Sequence, residues 1–416
     1  MTRPVQEFDI AIIGGGLVGT SLASLLAASQ PDLHIVLIDK HSIKNESERG
    51  YTPSFDARST ALAYGSMEIF QELGVWEQLR QHATHIRQVH VSDRGHLAGS
   101  IIDAAEQNID AVGYVIENAW LGKVLSAHIQ QQKNVTCISP ARVESISPRQ
   151  QGALVHVVAA EQTFDLHCKL AVVADGGDSP LRQALGIDTD ITHYHQSAII
   201  ANIAFSQPHQ LIAYERFTAQ GPLALLPLGE SGASKQAALV WTLPETEAER
   251  HLHMDDQQFL SALQQCFGYR LGRFERVSQR YAYPLKLVTA CEQIRSHTVL
   301  MGNAAHFLHP VAGQGFNLAL RDCVCLTGVL LRGRQQGTTL GELDSLQEYL
   351  KRQQNDQFMT IYFSDRLVKL FSSASLPLIA LRHLGFISLA ALPAAKDLFA
   401  AQTMGTAGAS LRWLNL

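Results

Sequence analysis

The chain has 416 residues, 46% of them hydrophobic and 17% charged, with a net charge of −5 at neutral pH. That balance fits a globular protein with room for two packed cores, and it excludes general electrostatic attraction to nucleic acid or anionic lipid. The six cysteines (Cys137, Cys168, Cys266, Cys291, Cys323 and Cys325) form no CxxC pair and no zinc spacing, as expected of buried thiols in a reducing cytoplasm.

Residues 10–31 carry no charge, a length that a signal segment or membrane span would also show. The cluster Gly14, Gly15, Gly16 and Gly19, with Asp9 at its entrance, favours a strand followed by a buried helix. Residues 8–13 read as that strand, 17–29 as a small-residue helix ending before Pro31, and 34–38 as a second strand. Together they make a right-handed βαβ unit. Short alternating runs at 88–91, 198–205 and 237–242 predict a mostly antiparallel sheet. Apolar strands at 170–174 and 298–301 end at Asp or Gly, where a ligand can lie against strand carboxyl ends. Beyond residue 343 the pattern turns helical. The expected fold class is α/β. A Rossmann-like domain comprises 1–85, 103–190 and 291–342, a second domain comprises 86–102 and 191–290, and 343–416 form a C-terminal helical region.

Three motifs carry chemistry. The first is Gly14-x-Gly16-x-x-Gly19, with Asp39 twenty residues beyond the last glycine. The first glycine permits a tight turn, the second lets backbone approach a pyrophosphate, and the third lets helix pack on strand. N–H groups at the helix start bind phosphate, and Asp39 can accept from a ribose hydroxyl. This motif does not distinguish NAD from FAD. The second motif runs Asp175-Gly176-Gly177-Asp178-Ser179-Pro180-Leu181-Arg182 after a strand, another dinucleotide contact, in which Arg182 can pair with an Asp or a phosphate. The third is Gly302-Asn303-Ala304-Ala305-His306, continuing to Pro310 and Gly313-Gln314-Gly315-Phe316-Asn317, then Asp322. Asn303 can bond a ribitol hydroxyl. The helix opening near Gly315 presents roughly half a positive charge, which suits the anionic N1–C2 edge of a reduced flavin. His306 and His309 stand three apart but precede Pro310 in a loop with no completing acid, so no metal is expected.

These three motifs, in this order, resemble the single-component FAD-dependent aromatic monooxygenases of the para-hydroxybenzoate hydroxylase class. The stretches Asp56-Ala57-Arg58, Val89-His90-Val91-Ser92-Asp93-Arg94-Gly95-His96, Tyr214-Glu215-Arg216-Phe217-Thr218, Gly221-Pro222-Leu223-Ala224 and Leu226-Pro227-Leu228 are similar to its ubiquinone-biosynthesis branch. So are Gly-Asn-Ala-Ala, His309-Pro310 and Gly-Gln-Gly-Phe-Asn, and the likeness runs from about residue 8 to 405. It implies FAD as cofactor, held by Gly14, Gly16, Gly19, Asp39, Asp175, Gly176, Gly302, Asn303, Gly313, Gln314, Gly315 and Asn317. Arg58 is implied near the pyrophosphate or the donor site, and Pro310 at the flavin's reactive face. The chain departs from the wider class at Asn303, where the class has Asp, which alters the field on the flavin.

The reaction implied is hydroxylation of a polyprenylated phenol, 2-polyprenyl-6-methoxyphenol, in ubiquinone biosynthesis. NAD(P)H supplies electrons and O2 the oxygen atom. Alternatives are another ring position in the same pathway, or a flavin-binding structural subunit of a multiprotein biosynthetic complex. A halogenase fits less well, since Trp241-Thr242-Leu243-Pro244 offers one tryptophan where that branch carries Trp-x-Trp. The base that activates the phenol is open among His193, His195 and Tyr214. Two apolar blocks in the tail, 371–381 and 384–393, are each too short to span a membrane. They suit core helices, or a weak, reversible hold on the inner-membrane surface through residues such as Phe386 and Ile387.

Overall fold

The computed structural model describes residues 5–43, 54, 58–94, 99–160, 162–308, 313–371, 400–401 and 403–406. Five strands lie parallel, in the order Thr298–Leu300, Gln162–Val173, Gln6–Ile13, Ile35–Ile38 and Val135–Ile138. Ile10, Ile12, Ile35 and Leu37 are fully buried. Such continuous apolar runs are what a parallel sheet covered on both faces requires. The helix Leu17–Ser29 has the predicted limits, and its apolarity is explained by burial of Leu22, Leu25 and Leu26. The strand Gln162–Val173 begins earlier than expected, because its first half pairs with Gly152–Ala159 in an antiparallel meander.

A second sheet has nine strands. Along it run His306–Phe307, Tyr281–Ala290, Thr189–Phe205, Gln236–Pro244, Gly221–Leu228, Ile212–Thr218, Gln88–Asp93 and Gly99–Asp103, with Phe274–Val277 also on Thr189–Phe205. It is antiparallel except where Ile212–Thr218 lies beside Gln88–Asp93. Alternation sorts its side chains. Ile199, Ile203, Leu223, Leu225, Leu239 and Trp241 share a core with Phe259 and Leu263 of the helix Asp256–Phe267. The opposite face carries Ile200, Ala224 and Val240 and looks into a cavity. His306 and Phe307, in the third motif, join this sheet and not the parallel one.

A third sheet of Ser59–Ala63, Gly113–Glu117 and Ala83–Ile86 was not anticipated. Its first strand, Ser-Thr-Ala-Leu-Ala, is too small in its side chains to announce a strand. The helix Leu343–Phe371 packs on Gln314–Gln335, where Arg321 Nε donates to Asp356 Oδ2 at 2.6 Å and Gln357 Nε2 to Asp322 Oδ1 at 2.9 Å. Of the thiols, Cys168, Cys266 and Cys323 are buried as expected, but Cys291 is exposed. Phe386, Ile387 and nearly all of the apolar tail lie outside the described residues. No helix among the described residues is long and apolar enough to cross a membrane.

Candidate active site

The glycine loop behaves as three separate devices. Gly14 has φ +111°, and a Cβ there would come within 2.3 Å of the Ala174 carbonyl oxygen. A Cβ on Gly19 would sit 1.8 Å from the Gly14 carbonyl oxygen. Both glycines therefore hold strand, loop and helix together. Gly16 differs: it caps the helix with extended backbone, is exposed, and its Cβ would meet nothing within 4 Å. Asp39 Oδ2 accepts from Gly15 N–H and Oδ1 from His41 N–H, each at 2.6 Å. The acid thus fixes the loop, and each oxygen keeps a lone pair for a ribose hydroxyl.

The second and third motifs meet. Arg182 is 4% exposed and donates through Nη1 to the Ala304 carbonyl (2.8 Å) and through Nη2 to the Gly177 carbonyl (3.0 Å). It forms no ion pair with Asp178. It ties the two loops into one wall, and Asp178 instead meets Lys286 at 3.2 Å. Both Asp175 carboxylate oxygens are buried without a hydrogen-bond partner. Burial pushes this carboxyl above its usual range, partly offset by Ser179, the Leu181 N–H and Arg182, none in bonding geometry. Gly176, with φ +105°, again faces open space. Gly302 packs its backbone on Val18, and exposed Asn303 lines the cavity.

In the third motif Gly313 takes φ +61° at the start of the helix Gln314–Gln335, and Gly315 opens onto the cavity. Asn317 lines the cavity, and its side-chain amide is fully engaged within the protein. Its Oδ1 accepts from Ala63 N–H and the Ser66 hydroxyl, and its Nδ2 donates to the Ala61 and Gly313 carbonyls, at 2.7–2.9 Å. An amide has no further hydrogen-bonding position. Its side chain shapes the loop against the third sheet. Gln314 is likewise buried, with Nε2 directed at the Thr403 carbonyl (3.4 Å). Pro310 and His309 lie outside the described residues. His306 Nε2 pairs with buried Asp322 at 2.6 Å, and among the described residues no group of three metal-ligating side chains occurs.

These loops border a cavity of about 680 Å³. Arg58 stands at its rim, exposed, donating to the Tyr283 hydroxyl at 3.1 Å. Of the expected bases, His193 and His195 are exposed and do not line it. Tyr214 does, but packs edge-on to Phe267, and burial pushes its hydroxyl up. The only carboxylate among the described lining residues is Glu215, which sequence reasoning missed.

The FAD binding domain family matches residues 7–342. The chain belongs to that family. Ubiquinone hydroxylase UbiL of Rhodospirillum rubrum is 30% identical over 96% of this chain and 90% of its own length. The 3-demethoxyubiquinol 3-hydroxylase of Escherichia coli is 28% identical over 92% of this chain and 95% of its own. The crystal structure of p-nitrophenol 4-monooxygenase PnpA from Pseudomonas putida DLL-E4 shares the fold. Its TM-score is 0.76 at 17% identity, over 98% of this chain and 100% of that one. The expected class, an FAD-dependent aromatic monooxygenase, is the one these likenesses support.

The residues fit the cofactor. Gly16, Gly176 and Gly315 leave open the positions that side chains would fill, and Asp175 supplies buried acceptors lacking a donor, as a sugar or ribitol hydroxyl provides. When bound, FAD supplies the electron transfer and oxygen activation of the reaction. The protein's share is to seat it, exclude water and orient the ring. Asn303→Asp should place a carboxylate at this wall. One charge a few ångströms from the flavin is worth on the order of 1–4 kcal/mol, favouring the oxidised form. Spectroelectrochemical titration should show a lower potential than wild type. An unchanged or raised potential would remove Asn303 from the flavin's neighbourhood.

Proposed function

We propose that the chain hydroxylates the aromatic ring of a polyprenylated phenol in ubiquinone biosynthesis, with 2-polyprenyl-6-methoxyphenol as substrate and NAD(P)H as electron donor. The observation carrying this is the cavity. It joins three glycine loops suited to FAD to a largely apolar sheet face with one carboxylate at its end. A second reading, another ring position in the same pathway, is supported by the similar 3-demethoxyubiquinol 3-hydroxylase. Each CH2 of a polyprenyl tail costs about 0.8 kcal/mol to move into water. The chain therefore meets its substrate at a bilayer surface or within a multiprotein assembly.

The test uses purified full-length protein with a prenylated phenol delivered in neutral liposomes. A yellow protein, NAD(P)H oxidation and O2 uptake that depend on the phenol, and a product heavier by one oxygen are expected. Product NMR then assigns the ring position, and co-sedimentation reads the membrane contact. A colourless protein, or one consuming no O2 with any prenylated phenol, would overturn the assignment.

A further inference from the structure

The cavity face of the nine-stranded sheet can be read row by row. One row runs Val91, Glu215, Ala224, Val240, Ile200 and Tyr281, residues directly opposite one another on successive strands. The three side chains between Glu215 and Tyr281 are all apolar: the methyl of Ala224 and the branched Val240 and Ile200. Glu215 and Tyr281 are four inter-strand spacings apart, about 19 Å. The next row holds Leu226, Ala238 and Asn202. A carboxylate is thus set alone at one end of an apolar floor, and no described side chain or backbone group hydrogen-bonds to it.

We propose that Glu215 is a catalytic base, accepting the substrate's phenolic proton. The inference rests on the reading of the chain as a phenol hydroxylase. In this step the phenol O–H bond breaks and its electron pair stays on the phenol oxygen. That oxygen then donates density to the ring carbons ortho and para to it. The proton forms an O–H bond with the Glu215 carboxylate and passes to water when product leaves.

Chemistry favours Glu215 over its neighbours. Desolvation alone pushes its carboxyl up to about 7. That narrows the gap to a phenol near 10 and strengthens proton sharing. Other titratable groups face it weakly. His90, Tyr214 and Arg216 belong to adjacent sheet positions, and Arg58, Tyr281 and Tyr283 line the remaining cavity. Arg58 is a cation, and neutral tyrosines are poor bases.

Only ionised Glu215 can accept, so wild-type kcat/KM should fall as pH drops below about 7. Glu215→Gln should keep its flavin, lose about 100-fold or more in kcat/KM, and lose that acidic limb. Glu215→Asp, which keeps the carboxylate, should retain the limb. A second readout needs no turnover: a nitrophenol with a short alkyl tail, bound without NAD(P)H at pH 7. Wild type should show the phenolate band and Glu215→Gln should lose it. Equal bands in both forms, or no binding of the probe to wild type, overturns the proposal. If wild type hydroxylates while Glu215→Gln matches it in pH profile and band, Glu215 alone is excluded. If no phenol is hydroxylated, the hydroxylase reading falls, and the band still decides Glu215.

Discussion

Gly16→Val should give a folded protein that holds almost no flavin. The apo fold tolerates the change, because Gly16 has extended backbone at φ −70° and an added Cβ meets nothing within 4 Å. Replacing a glycine cap by valine costs the helix only about 1 kcal/mol. The vacant space is where the helix N-terminus should receive a pyrophosphate, whose oxygens must approach the backbone closely. Crowding a packed contact by an isopropyl group costs about 1–3 kcal/mol, roughly a 5- to 150-fold loss of affinity. The rigid phosphate places this case near the upper end. Gly19→Ala is the contrast, since its Cβ would lie 1.8 Å from a backbone oxygen and must disturb the βαβ unit itself. Flavin released per chain, read beside far-UV circular dichroism, separates the two effects. Full flavin retention in a folded Gly16→Val protein would remove the pyrophosphate from this loop.

Much of the scaffold was legible because its signals are local. The helix Leu17–Ser29 was readable to the residue: a glycine-rich start, a small-residue body and a proline just beyond the end bound it from both sides. Four of the five parallel strands were legible because burial on both faces leaves uninterrupted apolar runs, whereas Val135–Ile138, partly exposed and interrupted by Thr136, was not. The site was less legible, because its decisive contacts are long-range. Asn317 sits in a glycine-rich motif, yet its four bonds fall on Ala61, Ala63, Ser66 and Gly313, three of them over 250 residues away in the chain. Arg182 looks like a partner for an acid until Ala304 and Gly177 are folded against it. Glu215 lies in a Tyr-Glu-Arg-Phe strand, where alternation says only that one face is more polar. Whether that face meets water or an apolar cavity depends on strands distant in sequence.

Asp322→Leu is expected to destabilise the protein by about 2–5 kcal/mol, because it removes the partner of two buried groups at once. Asp322 is fully buried; Oδ2 meets His306 Nε2 at 2.6 Å and Oδ1 accepts from Gln357 Nε2 at 2.9 Å. Leucine fills nearly the same space, so the loss reports on hydrogen bonding and not on a cavity. His306 would then be buried with both ring nitrogens unpaired, since Nδ1 already has no partner. Its strand follows the turn Gly302–Ala304, so flavin retention should weaken with stability. Gln357→Leu should cost less, as it leaves the His306–Asp322 pair intact. Removing both members of that pair is less harmful than removing one. The double variant His306→Leu/Asp322→Leu should therefore melt above Asp322→Leu alone. Denaturant unfolding of the four proteins, with matched m-values, is the measurement. A double variant no more stable than Asp322→Leu would show that this pair is not what locks the flavin-side turn to the helix Gln314–Gln335.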